Sequence, residues 1–248
     1  MSGVKKHYGF VYTILGLMFL IVLWSITQRA IKNDLVIPDI SSVFLSLISL
    51  LKQAETYLVI LKTIGRLVLT LVVCAALTLI LSYLSYKFEW FENFLKPFFV
   101  IMRTVPVVSL IIILLFLTGN DLSPYFITGF VVLPVMYEGV LSGFFAIDDA
   151  LKDEIKLLSD VNIRIVASVF LPVTLPYIIA SFVQSFGLGL KVMVMAEFIA
   201  QPKGTIGYVM LQERNFLNSD KIFAWTIIMV LIVFLVEIAV KTIRKKYI

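Results

Sequence analysis

Long apolar runs, separated by short charged segments, dominate the chain. Residues 8–28 and 67–86 contain no charged side chain, and further apolar runs cover 97–118, 123–147, 165 to about 200, and 222–240. A run of about 20 residues crosses the ~30 Å hydrocarbon core of a bilayer as an α-helix. The pattern therefore predicts an all-α, polytopic membrane protein with six transmembrane helices.

Composition supports a single membrane domain. Of 248 residues, 60% are hydrophobic and 15% are charged, and the mean hydropathy is +1.03. These values exceed those of ordinary soluble domains, and the apolar runs leave little sequence outside the bilayer. We therefore expect residues 1–248 to form one transmembrane domain in contact with lipid. The net charge of +5 comes from basic residues at membrane edges, so we do not expect nucleic-acid binding.

The basic residues also predict the topology. An even number of spans places both termini on one side, and the loops and ends of that side carry more Lys and Arg, most densely in the tail "KTIRKKYI". The positive-inside rule then places both termini in the cytoplasm. On this assignment, residues 148–170 between spans four and five are the longest cytoplasmic loop.

A shorter amphipathic helix is predicted between the first two spans, at about residues 40–53. Pro38 and Asp39 precede apolar residues at helical spacing, namely Ile40, Val43, Phe44, Leu47, Ile48 and Leu51. This spacing gives one apolar face. The helix either lies along the outer membrane surface or packs on neighbouring spans, and the pattern alone does not separate these alternatives.

The cytoplasmic loop has the pattern of a helix, a turn and a second helix. Asp148 and Asp149 are N-cap candidates, and acidic residues follow in the early turns, where the helix dipole favours them. Ser159, Asp160 and Asn162 then supply turn chemistry. Such a hairpin buries little apolar surface by itself, so it either caps its own bundle or docks on a partner.

The same loop resembles a known motif. The segment "DEIKLLSDVNIRIVASVFLPVTLP" is similar to the EAA loop of the permeases of bacterial ABC importers, with Asp153 at the acidic position and Ser159 at the glycine position. Leu171 and Pro172 occupy the closing Leu-Pro. Glu154 and Ile155 occupy the positions at which the motif has small residues. This chain therefore differs from the motif in several of its characteristic residue types.

The resemblance covers most of the chain. The segments "VIPDISSVFLSLISLL", "KTIGRLVLTL", "IMRTVPVVSLIIILLFLTGN" and "AEFIAQPKGTIGYVMLQERNFLNSDKIFAW" are similar to successive parts of these permeases, in the branch for nitrate, sulfonate, taurine and thiamine precursors. The resemblance implies a core permease region at about 55–245 and a coupling loop at about 148–170. It also implies location in the bacterial inner membrane.

The function implied by the resemblance is that of a permease subunit of an ATP-driven importer for a small metabolite. It implies cytoplasmic ABC ATPase partners, an extracytoplasmic substrate-binding protein, and a second permease copy as a homodimer or heterodimer. This chain would bind no cofactor, because ATP and Mg would sit on the ATPase. The implied ATPase-coupling residues are Asp153, Glu154, Leu157, Ser159, Asp160, Asn162, Ile163, Leu171 and Pro172.

The same residues bear on other classes of function. An intramembrane enzyme is disfavoured because the one histidine, His7, precedes the first span, and no metal-ligand cluster or P-loop is present. An ATPase-independent channel or secondary carrier and an uncoupled permease-like subunit stay as alternatives.

Charged residues within the spans are candidate pathway or gate residues. A charge at the bilayer centre costs at least ~2.5 kcal/mol, so it should face protein or water. Arg103 and Lys191 would attract an anionic substrate, and Glu138 and Glu197 would balance them. The alternative is structural ion pairing or snorkelling near the helix ends, and for Glu197 simple solvation is a further alternative. Flexible glycines complete the candidate set, which is Arg103, Glu138, Gly187, Gly189, Lys191 and Glu197.

Overall fold

The structure is a computed structural model that describes residues 2–147 and 171–247. These ranges contain helices and no strand, which confirms the all-α prediction. The helices are α1 (Ser2–Ile31), α2 (Ile40–Lys52), α3 (Ala54–Lys87), α4 (Glu89–Thr104), α5 (Val107–Phe145), α6 (Leu171–Ala200), α7 (Ile206–Asn215) and α8 (Ser219–Tyr247). Five of them, α1, α3, α5, α6 and α8, are long and apolar enough to cross a membrane.

Helix α5 consists of two arms that fold back on each other. Its 39 residues would extend about 58 Å if straight, far more than one bilayer. Gly119 interrupts the helical backbone with φ 76°, a conformation that glycine adopts without strain. Leu110 before this break and Ile127 after it lie in one apolar cluster with Val192 and Ala196 of α6. The chain therefore reverses at Gly119.

The second arm of α5 runs parallel to α3. Three contacts join the two helices at a constant separation of 55 residues: Arg66 to Asp121, Cys74 to Gly129 and Ser82 to Tyr137. Two helices run in the same direction when the chain between them crosses back once to the side on which the first helix began. Five of the described helices are long and apolar enough to cross a membrane, so the sixth predicted transmembrane helix stays a prediction.

Two boundaries of the predicted spans were wrong. The run 97–118 is not one helix, because α4 ends at Thr104 and Val105 has extended backbone before Pro106. Proline lacks an N–H group, so it cannot continue the helical hydrogen-bond ladder, but it suits the start of the next helix. Helix α3 begins at Ala54, more than three turns before residue 67, where the uncharged run begins.

The chain divides into two compact units, residues 57–209 with 229–248 and residues 1–56 with 210–228. In the latter, Trp24 of α1 donates a hydrogen bond to the carbonyl of Pro38 at 3.1 Å, and its ring lies 5.0 Å from that of Phe223. Ser46 of α2 donates to the carboxylate of Asp220. These contacts hold α2 beside the ends of α1 and α8.

Helix α2 has the cap that the sequence suggests. Asp39 is the N-cap and accepts hydrogen bonds from the hydroxyl and the N–H of Ser41, which lower the pKa of its carboxyl group. Val43 and Leu50 are the buried residues of the helix, whereas Phe44 is exposed. The buried face is therefore narrower than the apolar face that the sequence shows.

Candidate functional site in the membrane-spanning helices

Arg103 and Glu138 form an ion pair between α4 and the second arm of α5. Arg103 also donates a hydrogen bond to the carbonyl of Pro134 at 3.3 Å. Both side chains are partly exposed. The two residues that the sequence places separately are thus partners, and each balances the charge of the other.

Glu197 lies at the end of α6 and is completely buried. The hydroxyl of Thr63 donates to its Oε2 at 2.9 Å, and the N–H of Gly207 donates to the same oxygen at 3.3 Å. The alternative of simple solvation for Glu197 was therefore wrong. A buried carboxylate is stable only with such hydrogen-bond donors, and here the donors come from α3 and α7.

The first turn of α7 takes its hydrogen-bond partners from the same group of residues. The first N–H groups of a helix have no partner within the helix. In α7, Ile206 donates to the hydroxyl of Thr63 at 3.0 Å, Gly207 donates to Glu197, and Tyr208 donates to the hydroxyl of Thr205 at 3.4 Å. A negative charge is also favourable at a helix N-terminus. We call Thr63, Glu197 and the N–H groups of Ile206 and Gly207 the α7 anchor.

The loop before α7 is fastened to α3 as well. Lys62 donates to the carbonyl of Lys203 at 2.6 Å. The loop has positive φ angles at Gln201 (60°) and Gly204 (72°). Gly207 admits no side chain, because a Cβ atom there would lie 2.5 Å from Glu197 Cβ, Phe198 N and Val194 O. The end of α6, the loop and the first turn of α7 are therefore closely packed.

Arg66 is a buried charge that the sequence analysis missed. Its Nη2 lies 3.2 Å from Asp121 Oδ1, and its guanidinium lies 5.5 Å from the centre of the Tyr125 ring. Its Nη1 is buried and has no hydrogen-bond partner among the described residues. Thr63 precedes Arg66 by three residues, which is one helical turn. The sequence pattern places Arg66 at a membrane edge, because it immediately precedes the uncharged run 67–86.

Lys191 lies in α6, near the middle of the passage Pro172–Ala200, and its side chain is exposed. It makes no hydrogen bond or ion pair with any residue that the structure describes. Its neighbours Leu190 and Val192 are buried. An exposed ammonium group at this depth is costly in lipid, so Lys191 is expected to face water or protein.

The two candidate glycines of α6 have different environments. Gly189 is buried, and a Cβ atom there would lie 2.9 Å from Leu67 Cδ1 and 3.3 Å from Val132 Cγ2. Its lack of a side chain is explained by close packing of α6 on α3 and α5. Gly187 is half-buried, and a Cβ atom there would meet Val233 Cγ1 at an ordinary 3.6 Å. Packing alone does not require glycine at 187.

Most of the predicted coupling residues lie outside the described residues. These are Asp153, Glu154, Leu157, Ser159, Asp160, Asn162 and Ile163. Leu171 and Pro172 lie within α6, and the side chain of Pro172 is exposed.

No group of three or more His, Cys, Asp and Glu side chains that could hold a metal ion occurs within the described ranges. The membrane-spanning helices instead carry two buried charges with polar partners, Arg66 and Glu197, and α6 carries the exposed Lys191. Such an arrangement is typical of a protein that provides a route across a membrane. The geometry thus defines the class of multi-pass membrane transport proteins.

Comparison with known proteins gives the family. Residues 75–248 match the family described as "Binding-protein-dependent transport system inner membrane component", so the chain belongs to this family of importer permeases. A curated relative, the "Putative aliphatic sulfonates transport permease protein SsuC" of Bacillus subtilis (strain 168), is 23% identical over 244 residues. The alignment covers 98% of this chain and 88% of the relative. The protein is therefore a permease subunit of a binding-protein-dependent importer.

Proposed function

We propose that the chain forms the transmembrane pathway of an ATP-driven importer for small organic anions of the aliphatic sulfonate type. The observation that carries the proposal is Lys191, an exposed cation within a membrane-spanning helix that has no ion-pair partner among the residues that the structure describes. The printed name of the Bacillus relative supports a sulfonate as the anion. The ammonium group offers a sulfonate a charge-assisted hydrogen bond.

Membership of the family supports the partner proteins that this proposal requires. ATP hydrolysis comes from cytoplasmic ABC ATPase subunits, which carry ATP and Mg, and an extracytoplasmic binding protein delivers the substrate. A second permease copy, identical or related, completes the pathway. Both termini lie in the cytoplasm, so the segment 148–170 faces the ATPase.

Removal of the charge at Lys191 tests the pathway assignment. The protein is reconstituted in proteoliposomes with the ATPase encoded beside it and the cognate binding protein, and uptake of radiolabelled ethanesulfonate is measured. We expect Lys191→Gln to lower uptake about tenfold, equivalent to ~1.4 kcal/mol of lost interaction with the anion. Lys191→Arg should retain most of the activity, because it keeps the positive charge.

The matched control for this experiment is Lys241→Gln. Lys241 is also exposed, but it lies at the end of α8 and pairs with Glu237 at 3.2 Å. The Lys241→Gln variant should therefore import ethanesulfonate as fast as wild type. Equal uptake by Lys191→Gln and wild type would contradict a role of Lys191 in the pathway, and no uptake of ethanesulfonate by wild type would contradict the proposed substrate class.

Coupling to the ATPase is tested by the double variant Leu157→Asp, Ile163→Asp. We expect wild type to co-elute with the ATPase and to stimulate ATP hydrolysis in lipid, and the double variant to lose both. Acidic side chains in an apolar docking face carry a desolvation cost that a partner surface does not compensate.

The control for coupling is Phe216→Asp, Leu217→Asp. These apolar residues are strongly exposed in the loop between α7 and α8, which lies on the other side of the membrane in the proposed topology. The control should bind the ATPase normally. If wild type binds no ATPase, an ATPase-independent channel or carrier, or an uncoupled permease-like subunit, becomes the better description.

A further inference from the structure

The exposed face of α6 differs from that of the other membrane-spanning helices. On α3 the exposed residues include large apolar side chains such as Leu61, Leu69, Val72 and Ile80, as expected for contact with lipid tails. Between residues 172 and 200, no Leu, Ile, Val, Phe or Met is exposed. The exposed residues of α6 are Pro172, Tyr177, Ala180, Gln184 and Lys191.

Three of these residues are polar and recur at intervals of seven. Tyr177, Gln184 and Lys191 therefore lie on one side of α6, with a drift of only about 20° per interval. They span fourteen residue steps, or about 21 Å along the helix axis. None of the three makes a side-chain hydrogen bond within the part of the chain that the structure describes.

Small residues separate the three polar side chains. Ala180 and Gly187 follow Tyr177 and Gln184 by three residues each, which places them on the same side of the helix. Ala180 is exposed and Gly187 is half-buried. They leave space beside the polar groups. We call the five residues Tyr177, Ala180, Gln184, Gly187 and Lys191 the α6 lane.

We propose that the α6 lane is the surface along which the anionic substrate moves through the membrane. This inference rests on the proposed function and names the residues that contact the substrate. Lys191 receives the acidic head group, the amide of Gln184 donates the next hydrogen bond, and the hydroxyl of Tyr177 donates the last. Ala180 and Gly187 provide room for the organic part of the substrate.

The order of these groups suits transport in one direction. Lys191 lies nearer the loop that leads to α7, and Tyr177 lies nearer the segment 148–170, which faces the cytoplasm in the proposed topology. A cation followed by neutral donors binds an anion at entry without holding it strongly along the rest of the path. Transport requires binding that is favourable enough to enter and weak enough to leave.

Accessibility to a charged thiol reagent tests the lane. The native cysteine, Cys74, is buried and is replaced by alanine; single cysteines are then introduced by Tyr177→Cys, Gln184→Cys and Lys191→Cys. Right-side-out and inside-out membrane vesicles are treated with methanethiosulfonate ethylsulfonate, a water-soluble reagent that itself carries a sulfonate. We expect all three cysteines to be modified, because the lane faces water.

Matched controls separate a water-filled path from exposure to lipid. Leu69→Cys and Val72→Cys introduce cysteines at exposed positions of α3, and Val192→Cys introduces one at a buried position beside Lys191. A thiol in lipid stays protonated and unreactive. We expect modification of the lane cysteines to be at least about tenfold faster than that of these controls, since thiolate fraction and water access govern the rate.

Protection by ethanesulfonate links the lane to the substrate. We expect excess ethanesulfonate to slow modification of Gln184→Cys in complexes that contain the ATPase and the binding protein. Modification of the lane as slow as that of Leu69→Cys would overturn the proposal. Rapid oxidative cross-linking of Gln184→Cys between two copies, without modification, would also overturn it, because the face would then be buried between subunits.

The test is independent of the transport assay. Modification depends only on the folded protein in a membrane. If the lane cysteines react rapidly but wild type imports no ethanesulfonate, the lane stands and the proposed substrate class fails. If ethanesulfonate is imported but the lane is unreactive, the proposed function stands and the lane is refuted.

Discussion

Gly207→Ala is expected to destabilise the protein severely. The added Cβ atom would lie 2.5 Å from Val194 O and Phe198 N, and both are backbone atoms of α6 that no side-chain rotation can move. Carbon contacts are optimal at about 3.5–4.0 Å, so α6 and the first turn of α7 would have to separate by about 1 Å. Overpacking of this kind costs about 3 kcal/mol. The separation would also stretch the hydrogen bond from Gly207 to Glu197.

Buried Cys74 provides the measurement. A thiol-reactive fluorescent dye reports its exposure as purified protein is heated in detergent. For a chain of this length, 3 kcal/mol corresponds to a decrease in melting temperature of about 6–12 °C. The control is Gly65→Ala on α3, where a Cβ atom would meet nothing within 4 Å. It should melt at or above the wild-type temperature, because alanine favours helix. Equal melting temperatures for the two variants would show that α6 and α7 are not closely packed.

Glu197→Leu is expected to destabilise the protein to a comparable extent. Leucine has similar volume but accepts no hydrogen bond, so the hydroxyl of Thr63 and the N–H of Gly207 would both lose their acceptor. A buried donor without a partner costs about 1–3 kcal/mol. We therefore expect a loss of about 2–6 kcal/mol for the two donors together. The same melting measurement applies.

Two comparison variants make this result specific. Glu197→Gln keeps one oxygen that can accept both hydrogen bonds, so it should lower the melting temperature by less than half as much as leucine. Glu237→Leu removes an exposed carboxylate that pairs with Lys241, and it should change the melting temperature little, because exposed ion pairs contribute about 0–1 kcal/mol. A Glu197→Gln variant as unstable as Glu197→Leu would indicate that the negative charge, and not the hydrogen bonding, stabilises the α7 anchor.

The sequence predicted the apolar passages well, because each uncharged run had to be long enough to cross a bilayer. The fold-back of α5 was also visible, since the end of the third run and the start of the fourth bracket Gly119. The run 97–118 was predicted as one span because hydropathy continues across the interruption at Pro106. The early start of α3 was missed because Arg66 looked like a boundary.

The pairings between residues could not be predicted from the sequence. Arg103 and Glu138 were each identified as intramembrane charges, but their pairing depends on how α4 packs on the second arm of α5. The α7 anchor joins residues 63, 197 and 206–207, and no periodicity links positions so far apart. Lys191 was identified from its charge alone. The lane beside it became apparent only with the burial of the rest of α6.

The α7 anchor limits where this half of the chain can bend. Thr63 and Lys62 attach α3 to the loop and first turn of α7, and Glu197 attaches the end of α6 to the same turn. These three segments must therefore move as one rigid body when the transporter changes shape. Any bending must then take place outside these three segments, for example at the helix interruptions at Gly119 and Pro106.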